Sequence, residues 1–199
     1  MSAQELLNCE YGGGTCAGGY PPNVWKFAYE HGIGHDSCEQ YDGKEIDNKE
    51  ELCSDFNLCR DCIGPAPTKP DEHLWENCFS VTSYKRHYVS GWRVLVGPDE
   101  MKKELALYGP IGCIIDIRAY QPFYHEYKGE IIDVEQESWY LTHEIAVIGY
   151  GVDEESGEEY WIGRNSWGTY WGDQGYFKVK MHKNVIGIET SCSAGYPSY

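Results

Sequence analysis

The residues best suited to chemistry are a histidine and an asparagine at the two ends of a predicted hairpin. His143 begins a strand-like run, a turn rich in Asp, Glu and Gly follows, and the chain returns over Glu159–Asn165. If the fold-back centres near Glu154, His143 lies opposite Asn165, because both are about 11 residues from the turn. An Asn carbonyl can accept the proton of one ring nitrogen and leave the other nitrogen to pair with a nucleophile. The pattern predicts a general base, His143, with Asn165 as its orienting residue.

A histidine at a strand end is more often an ordinary surface or core residue. Here it accompanies an opposed asparagine and two tryptophans, Trp167 and Trp171, which follow that asparagine and could screen the hydrogen bond from water. Because one catalytic arrangement explains all four residues, we favour the catalytic interpretation.

The elements around the hairpin predict a mixed α+β chain with a helix-and-loop first half and a strand-rich second half. Proline at the first turn predicts one helix from Pro21 to His31 and another from Pro98 through Leu105. Residues 35–70 are predicted to be irregular, and Gly64–Pro70 is the most linker-like stretch. Alternation or apolar runs predict strands at Val81–Val89, Ile111–Ile117 and about 130–133, 143–151, 159–165 and 175–180.

Bulk composition limits the classes of function. A chain of 199 residues that is 41% hydrophobic and 15% aromatic is long and apolar enough for an ordered core. Its net charge of −16 disfavours binding to nucleic acid or an anionic membrane, and solubility explains the acidity better than an acidic recognition patch. We expect no membrane span, and Met1–Glu10 does not have the pattern of a signal peptide.

Cysteine usage predicts an oxidising compartment and a disulfide framework. Six of the nine cysteines lie between Cys9 and Cys62, and the odd number leaves one thiol over or paired outside these residues. Zinc is the competing interpretation, because Cys59 and Cys62 form a C-x-x-C motif. No second motif follows at zinc-finger spacing, so the disulfide interpretation is preferred and no metal or organic cofactor is expected.

These motifs resemble the papain family of cysteine proteases. His143, the run Asn165-Ser166-Trp167-Gly168 and the following Trp171-Gly172-x-x-Gly175-Tyr176 resemble its His and Asn motifs. The segment Ser2–Cys9, followed by Cys16-Ala17-Gly18-Gly19, resembles the region after the helix that bears the nucleophile. Tyr29–Ile33 and the cysteine spacing from Cys38 to Cys78 are similar to the cathepsin Z (cathepsin X) branch, whose members are lysosomal carboxypeptidases.

The resemblance implies a role for each matching residue. His143 and Asn165 would be catalytic, Trp167 would shield their hydrogen bond, and backbone groups of Gly18, Gly19 and Thr142 would bind a peptide substrate. It also implies a two-lobed fold, with residues 1–90 as the remainder of a helical, disulfide-rich lobe and residues 91–199 as an antiparallel β-barrel-like lobe carrying His143 and Asn165. The implied disulfides are Cys9–Cys53, Cys38–Cys59, Cys62–Cys78 and Cys113–Cys192, which leave Cys16 over.

One part of the family pattern is not found in these 199 residues. The family's nucleophile lies in a Cys-Gly-Ser-Cys-Trp segment, which we expect upstream of Met1. We therefore predict that this chain alone is inactive. Three explanations are open: an incomplete chain, which we favour; a truncated protein that binds peptides or inhibitors; and a two-chain enzyme whose other chain supplies the thiol.

The expected function follows from the resemblance. It is a hydrolase, a cysteine-type peptidase that releases C-terminal residues by carboxypeptidase action, and the alternative is a catalytically dead, disulfide-rich binding protein. The implied partners are a peptide or protein substrate and a cystatin-like inhibitor. We expect a monomer in the lysosome or the secretory pathway.

Overall fold

The computed structural model describes residues 1–9, 13–43, 52–63, 78–135 and 140–198. These residues divide into two compact units. The first comprises Met1–Trp92 together with Gly195–Tyr199, and the second comprises Arg93–Ala194. The sequence-based division after residue 90 assigned the last residues to the second lobe, whereas the structure groups them with the first unit. The linker-like Gly64–Pro70 lies outside the described residues.

The first unit is built from short helices and short paired strands. Ser2 caps the first helix, because its Oγ accepts a hydrogen bond from the Glu5 amide at 3.1 Å. The elements in chain order are α1 Ala3–Asn8, β1 Gly14–Thr15, β2 Gly18–Gly19, α2 Pro21–Glu30, α3 Asp55–Leu58, β3 Arg60–Cys62 and β4 Cys78–Ser80. Antiparallel pairing joins β1 to β2 and β3 to β4.

Two expectations for the first unit were wrong. Val81–Val89 is not a strand; only His87 pairs there, as an isolated bridge with Ile33, and the next strand begins at Val89. The supposedly irregular stretch 35–70 contains α3 and β3. Both elements are shorter than five residues, so a hydrophobic period has no room to develop.

The four disulfides are Cys9–Cys53, Cys38–Cys59, Cys62–Cys78 and Cys113–Cys192. They are the pairs that the family resemblance implied, and Cys16 is the cysteine outside them, with an exposed side chain. Since Cys59 and Cys62 both belong to bridges, the zinc alternative is excluded for this motif. No group of potential metal ligands occurs among the residues that the structure describes.

The second unit is organised around a mixed sheet. The seven strands have the order β5-β11-β6-β8-β9-β10-β7. All pairs with a determined register are antiparallel except β7 with β10, which run parallel. Within the described residues the sheet ends at β5 and β7, so it is open and not a closed barrel. The remaining elements are β5 Val89–Leu95, α4 Pro98–Leu107, β6 Ile111–Ile115, β7 Ile131–Ile132, β8 His143–Val152, β9 Glu159–Arg164, β10 Tyr176–Lys180 and β11 Cys192–Pro197.

Alternation along the central strands forms the core of the second unit. In β8 the side chains of Ile145 and Val147 point inward, and in β9 Trp161 is fully buried. They join one cluster with residues from β6, β10 and the turns, including Phe123 and Phe177. No described helix is both long enough and apolar enough to cross a bilayer.

Candidate active site

His143 and Asn165 are in direct contact near the open end of the β8–β9 hairpin. His143 is the first residue of β8, where it pairs with Ile115 of β6, and Asn165 directly follows β9. The His143 Nε2 and Asn165 Oδ1 atoms are 2.8 Å apart. The prediction that these side chains meet is therefore confirmed.

The strand register around this contact differs from the one expected from the sequence, in which His143 stands opposite Asn165. Pairing of β8 with β9 shifts between Val147 and Gly149, and the last pair towards the site is Ala146 with Arg164. His143 therefore lies beyond the β8–β9 ladder and does not stand opposite Asn165 in it. The chain leaves the strand after Arg164, and the Asn165 amide bonds to the Gly175 carbonyl at 2.9 Å. This turn of the chain, and not the ladder, directs the carboxamide towards the ring.

Hydrogen bonds fix the orientation of the Asn165 carboxamide and with it the tautomer of the histidine. Asn165 Oδ1 also accepts the Ser166 backbone N–H at 2.8 Å, so the oxygen must face both donors. Since a carbonyl oxygen can only accept, Nε2 of His143 donates, and Nδ1 remains for another partner. Asn165 is 6% exposed, and its Nδ2 has no hydrogen-bond partner within the described part of the chain.

Aromatic rings surround the histidine. The Trp167 ring centroid is 4.9 Å from that of His143, and the edge of Phe123 approaches the imidazole with a centroid distance of 6.3 Å. Phe123 is fully buried and also contacts Trp167 and Trp171, while Tyr124 stacks on Trp167. The rings pack beside the His143–Asn165 bond, and the shielding from water that they give strengthens it.

Phe123 and Tyr124 were not among the predicted site residues. They lie in and just after the 3₁₀ turn Gln121–Phe123, far from His143 in sequence. The only available signal was an apolar pair in a Gln-Pro-Phe-Tyr segment, and such a pair does not reveal which side chain it will contact.

The predicted substrate-binding residues lie in both units. Thr142 precedes His143, is exposed, and donates its N–H to the Ile115 carbonyl at 2.9 Å. Gly18 and Gly19 form β2 of the first unit. Gly18 has a φ of 132° and open space where a side chain would be, so another backbone could approach it closely. A Cβ on Gly19 would lie 2.5 Å from the Gly13 carbonyl oxygen, so the hairpin itself requires that glycine.

Glu144 adds a carboxyl group immediately after the histidine. The surrounding protein raises its pKa to about 7 by desolvation, although the side chain is exposed and makes no ion pair with the described residues.

The arrangement can accept and return a proton at His143, but it needs a nucleophile. The two cysteines of the second unit, Cys113 and Cys192, are bonded to each other. No thiol of that unit is therefore available to the imidazole.

Comparisons with known proteins agree with this geometry. The model of the papain family cysteine protease matches residues 1–196. Cathepsin Z of Onchocerca volvulus is 37% identical over 205 residues, which cover 96% of this chain and 58% of that protein. Cathepsin B-like protease 1 of Arabidopsis thaliana is 31% identical over 204 residues, covering 100% of this chain and 49% of that protein.

A solved structure shows the same fold. Procathepsin L 3 from the larval midgut of Tenebrio molitor superposes with a TM-score of 0.69 at 26% identity, covering 100% of this chain and 55% of its own. The chain spans about half to three-fifths of the length of these relatives. With a family match over nearly all its residues, the chain belongs to the papain family of cysteine proteases.

Proposed function

We propose that the chain supplies the base half of a cysteine-type peptidase, and that a cysteine outside these 199 residues supplies the nucleophile. The observation that carries the proposal is the 2.8 Å contact of His143 Nε2 with Asn165 Oδ1 beneath Trp167. It leaves Nδ1 to face a thiol. Neither a metal nor an organic cofactor is needed for this chemistry.

The proposed reaction proceeds through a thioester. The thiol transfers its proton to Nδ1 of His143, and the thiolate attacks the peptide carbonyl carbon. The imidazolium then gives its proton to the leaving amine as the C–N bond breaks. Neutral His143 next takes a proton from water, and the resulting hydroxide attacks the thioester carbonyl. The C–S bond breaks, the acid leaves, and the imidazolium returns its proton to the departing thiolate, which restores the thiol. Asn165 keeps the ring aligned in every step.

The substrate is proposed to be an extended peptide. Gly18, Gly19 and Thr142 would contact its backbone, and Gly18 has the open space that such an approach needs. The similarity to cathepsin Z of Onchocerca volvulus supports a carboxypeptidase that removes C-terminal residues in a lysosomal or secreted setting. Four disulfides agree with an oxidising compartment. A cystatin-like protein is the proposed inhibitor, and the working form is proposed to be a monomer.

The test compares the longest product of the gene with the 199-residue chain. Both are incubated with a peptidyl epoxide that alkylates activated thiols, and His143→Ala in the longer product is the control. We expect labelling of the longer product only, with loss of labelling in the control. A longer product that never reacts would favour the alternative, a disulfide-rich protein that binds peptides or inhibitors without catalysis.

Two further measurements separate the remaining explanations. Labelling that returns when an upstream segment is added to the 199-residue chain as a separate polypeptide would identify a two-chain enzyme. For carboxypeptidase action, a peptide with a free C-terminus should lose one residue at a time, and the same peptide with a C-terminal amide should resist. Cleavage of both peptides at internal bonds would contradict that specificity.

A further inference from the structure

Asp116 is a buried carboxylate at the point where β6 leaves the sheet. It is 1% exposed, and it accepts hydrogen bonds from two separate segments of the second unit. Its Oδ2 accepts the Tyr140 backbone N–H at 2.8 Å. Its Oδ1 accepts the Arg118 backbone N–H at 3.0 Å and the Arg118 Nε at 3.3 Å. The Asp116 carboxylate therefore hydrogen-bonds to two segments of backbone, one at Tyr140 and one at Arg118.

The first of these segments leads into the catalytic histidine. Tyr140 is held by Asp116, the Thr142 N–H bonds to the Ile115 carbonyl at 2.9 Å, and His143 pairs with Ile115. The backbone from Tyr140 to His143 is thus anchored to the end of β6 at three points in four residues. Without the Asp116–Tyr140 hydrogen bond, the backbone that enters His143 would be held only by the hydrogen bonds to β6 that begin at Thr142.

The second segment leads to the ring that packs against the imidazole. Asp116 caps the 3₁₀ turn Ile117–Ala119, and the next turn ends at Phe123. The Phe123 carbonyl accepts the Trp171 Nε1–H at 2.6 Å, and the Phe123 ring meets His143 edge-on. Asp116 thereby connects the backbone of His143 with the aromatic wall that limits rotation of its side chain.

The negative charge is suited to this role. Burial alone would raise the pKa of Asp116, but the amides of Tyr140 and Arg118 and the Arg118 side chain outweigh burial and lower the pKa below its usual value. The Arg118 guanidinium also lies 4.6 Å from the centroid of the Tyr140 ring. A neutral carboxamide would offer one acceptor oxygen and one NH2 group, and that NH2 group would face an N–H.

We propose that Asp116 is a positioning residue, which holds the backbone entering His143 and the turn bearing Phe123 so that the imidazole stays aligned with Asn165. The proposal rests on the proposed function in one respect only, that His143 acts as the base. Asp116 acts through these neighbours and does not itself touch the substrate.

The test uses the 199-residue chain and needs no catalysis. ¹⁵N NMR of the His143 ring at about pH 8, where a histidine is neutral, reports the ratio of the Nε2–H to the Nδ1–H tautomer. We expect the Nε2–H tautomer to dominate in the wild type. Asp116→Ala should lower the ratio roughly tenfold, which corresponds to the typical net free energy of one hydrogen bond. It should also speed solvent exchange of the Nε2 proton. Asp116→Asn should produce a smaller change in the same direction, since it keeps one acceptor.

Asp153 is the matched control. It is also an aspartate that accepts a backbone N–H and a side-chain donor, both from Ser156, at the opposite end of β8. Asp153→Ala and Asp153→Asn should leave the His143 tautomer unchanged. The proposal is overturned if Asp116→Asn, folded by its methyl NMR spectrum, keeps the wild-type tautomer ratio and exchange rate. It is also overturned if the Asp153 variants shift the ratio equally.

Kinetics of the longer gene product give an independent readout. Asp116→Ala should lower kcat about 10- to 100-fold with KM changed less than about threefold, because misalignment affects the proton transfers more than binding, and Asp116→Asn should lower kcat less. An equal loss in the Asp153 control would point to general destabilisation and overturn the proposal. If the longer product never reacts while the tautomer still depends on Asp116, the proposed peptidase function fails and the positioning role of Asp116 stands.

Discussion

The two units of the molecule are stabilised in different ways. In the second unit a continuous apolar cluster fills the space around the sheet, and a single disulfide lies within it. Among the described residues of the first unit, the buried apolar side chains are few: Cys9, Phe27, Ala28, Ile33 and Cys59. Three disulfides and a set of buried polar side chains supplement them. These polar residues are Ser2, Gln4, Glu5, Asn8 and Glu39.

The way each unit is stabilised explains why the His143–Asn165 hydrogen bond lies in the second unit. The His143–Asn165 pair lies in the second unit, where packed strands and rings fix both side chains without covalent help. The first unit instead depends on disulfides, which destabilise its unfolded state, and on buried polar side chains around a small apolar cluster. The second unit also buries polar side chains, but within a much larger apolar cluster. We therefore expect core truncations to cost most in the second unit, and charge or pH changes to act mainly on the first.

The largest effect is expected at Phe123. Phe123→Ala should destabilise the second unit by about 4 kcal/mol, because the ring is fully buried among aromatic neighbours that cannot close the cavity. Phe27→Ala should cost the first unit less, about 3 kcal/mol, because its small cluster can relax into the space. Hydrogen exchange read by mass spectrometry, peptide by peptide, measures each unit separately. Equal costs at the two phenylalanines would contradict the comparison.

A smaller effect is expected at Arg86 in the first unit. Its guanidinium pairs with the buried Glu5 carboxylate and donates to the His31 and Gly32 carbonyls. Arg86→Met should cost about 3 kcal/mol, because it leaves the Glu5 charge buried without its counter-ion.

The matched control is Lys26, which forms an exposed pair with Glu30 on α2. Lys26→Met should change the free energy of unfolding by less than about 0.5 kcal/mol. Amide hydrogen exchange of first-unit peptides, measured over a series of denaturant concentrations, gives the free energy of unfolding of each variant. If Arg86→Met were as mild as Lys26→Met, the polar contacts of the first unit would be dispensable.

The smallest effect concerns pH and Glu39. Burial, aided by the neighbouring charge of Glu5, raises the pKa of Glu39 to about 7, against the hydrogen bond from Asn8 and the charge of Arg60, which lower it. The unfolded chain releases this proton near pH 4.5, so the folded state binds the extra proton between about pH 4.5 and 7. The contribution of Glu39 to the free energy of unfolding is therefore greatest below about pH 4.5, and it is lost as the pH rises through about 7.

The measured quantity is the change in stability of the first unit between about pH 5 and 7.5. Relative to Glu39→Gln, which cannot titrate, the wild type should lose about 1 to 2 kcal/mol over this range, allowing for partial solvent screening. Glu154→Gln in the exposed β8–β9 turn should behave as the wild type does. A wild-type profile parallel to that of Glu39→Gln would show that this carboxyl does not titrate abnormally.

Sequence patterns predicted the elements that are long enough to show a hydrophobic period, and missed those that are too short or too polar to show one. The helix at Pro21 and the strands of the β8–β9 hairpin were predicted within one or two residues, because proline position and alternation are local signals. Helix α1 was not predicted, because its buried residues are polar: Gln4, Glu5 and Asn8. A hydrophobic pattern cannot reveal a helix whose inner face makes hydrogen bonds instead of apolar contacts.

The site itself was predicted in part. The contact of His143 with Asn165 was predicted, but the opposed register from which it was derived is not present. The shift at Val147 was missed because an irregularity leaves no mark in the alternation of nearby apolar residues. Phe123 and Asp116 were not predicted, because their contacts with the site depend on the path of the chain between β6 and β8. Their residue types alone would fit many positions in a core.

In the proposed function, His143, oriented by Asn165, activates a thiol supplied from outside these residues. The most direct test is the pH dependence of the rate at which iodoacetamide alkylates the thiol of the longer gene product. In the wild type we predict a reactive thiolate that persists well below the ordinary cysteine pKa of about 8.5, because the imidazolium stabilises it. His143→Ala should return the midpoint to about 8.5. A wild-type midpoint already at that ordinary value, unchanged in His143→Ala, would contradict the account.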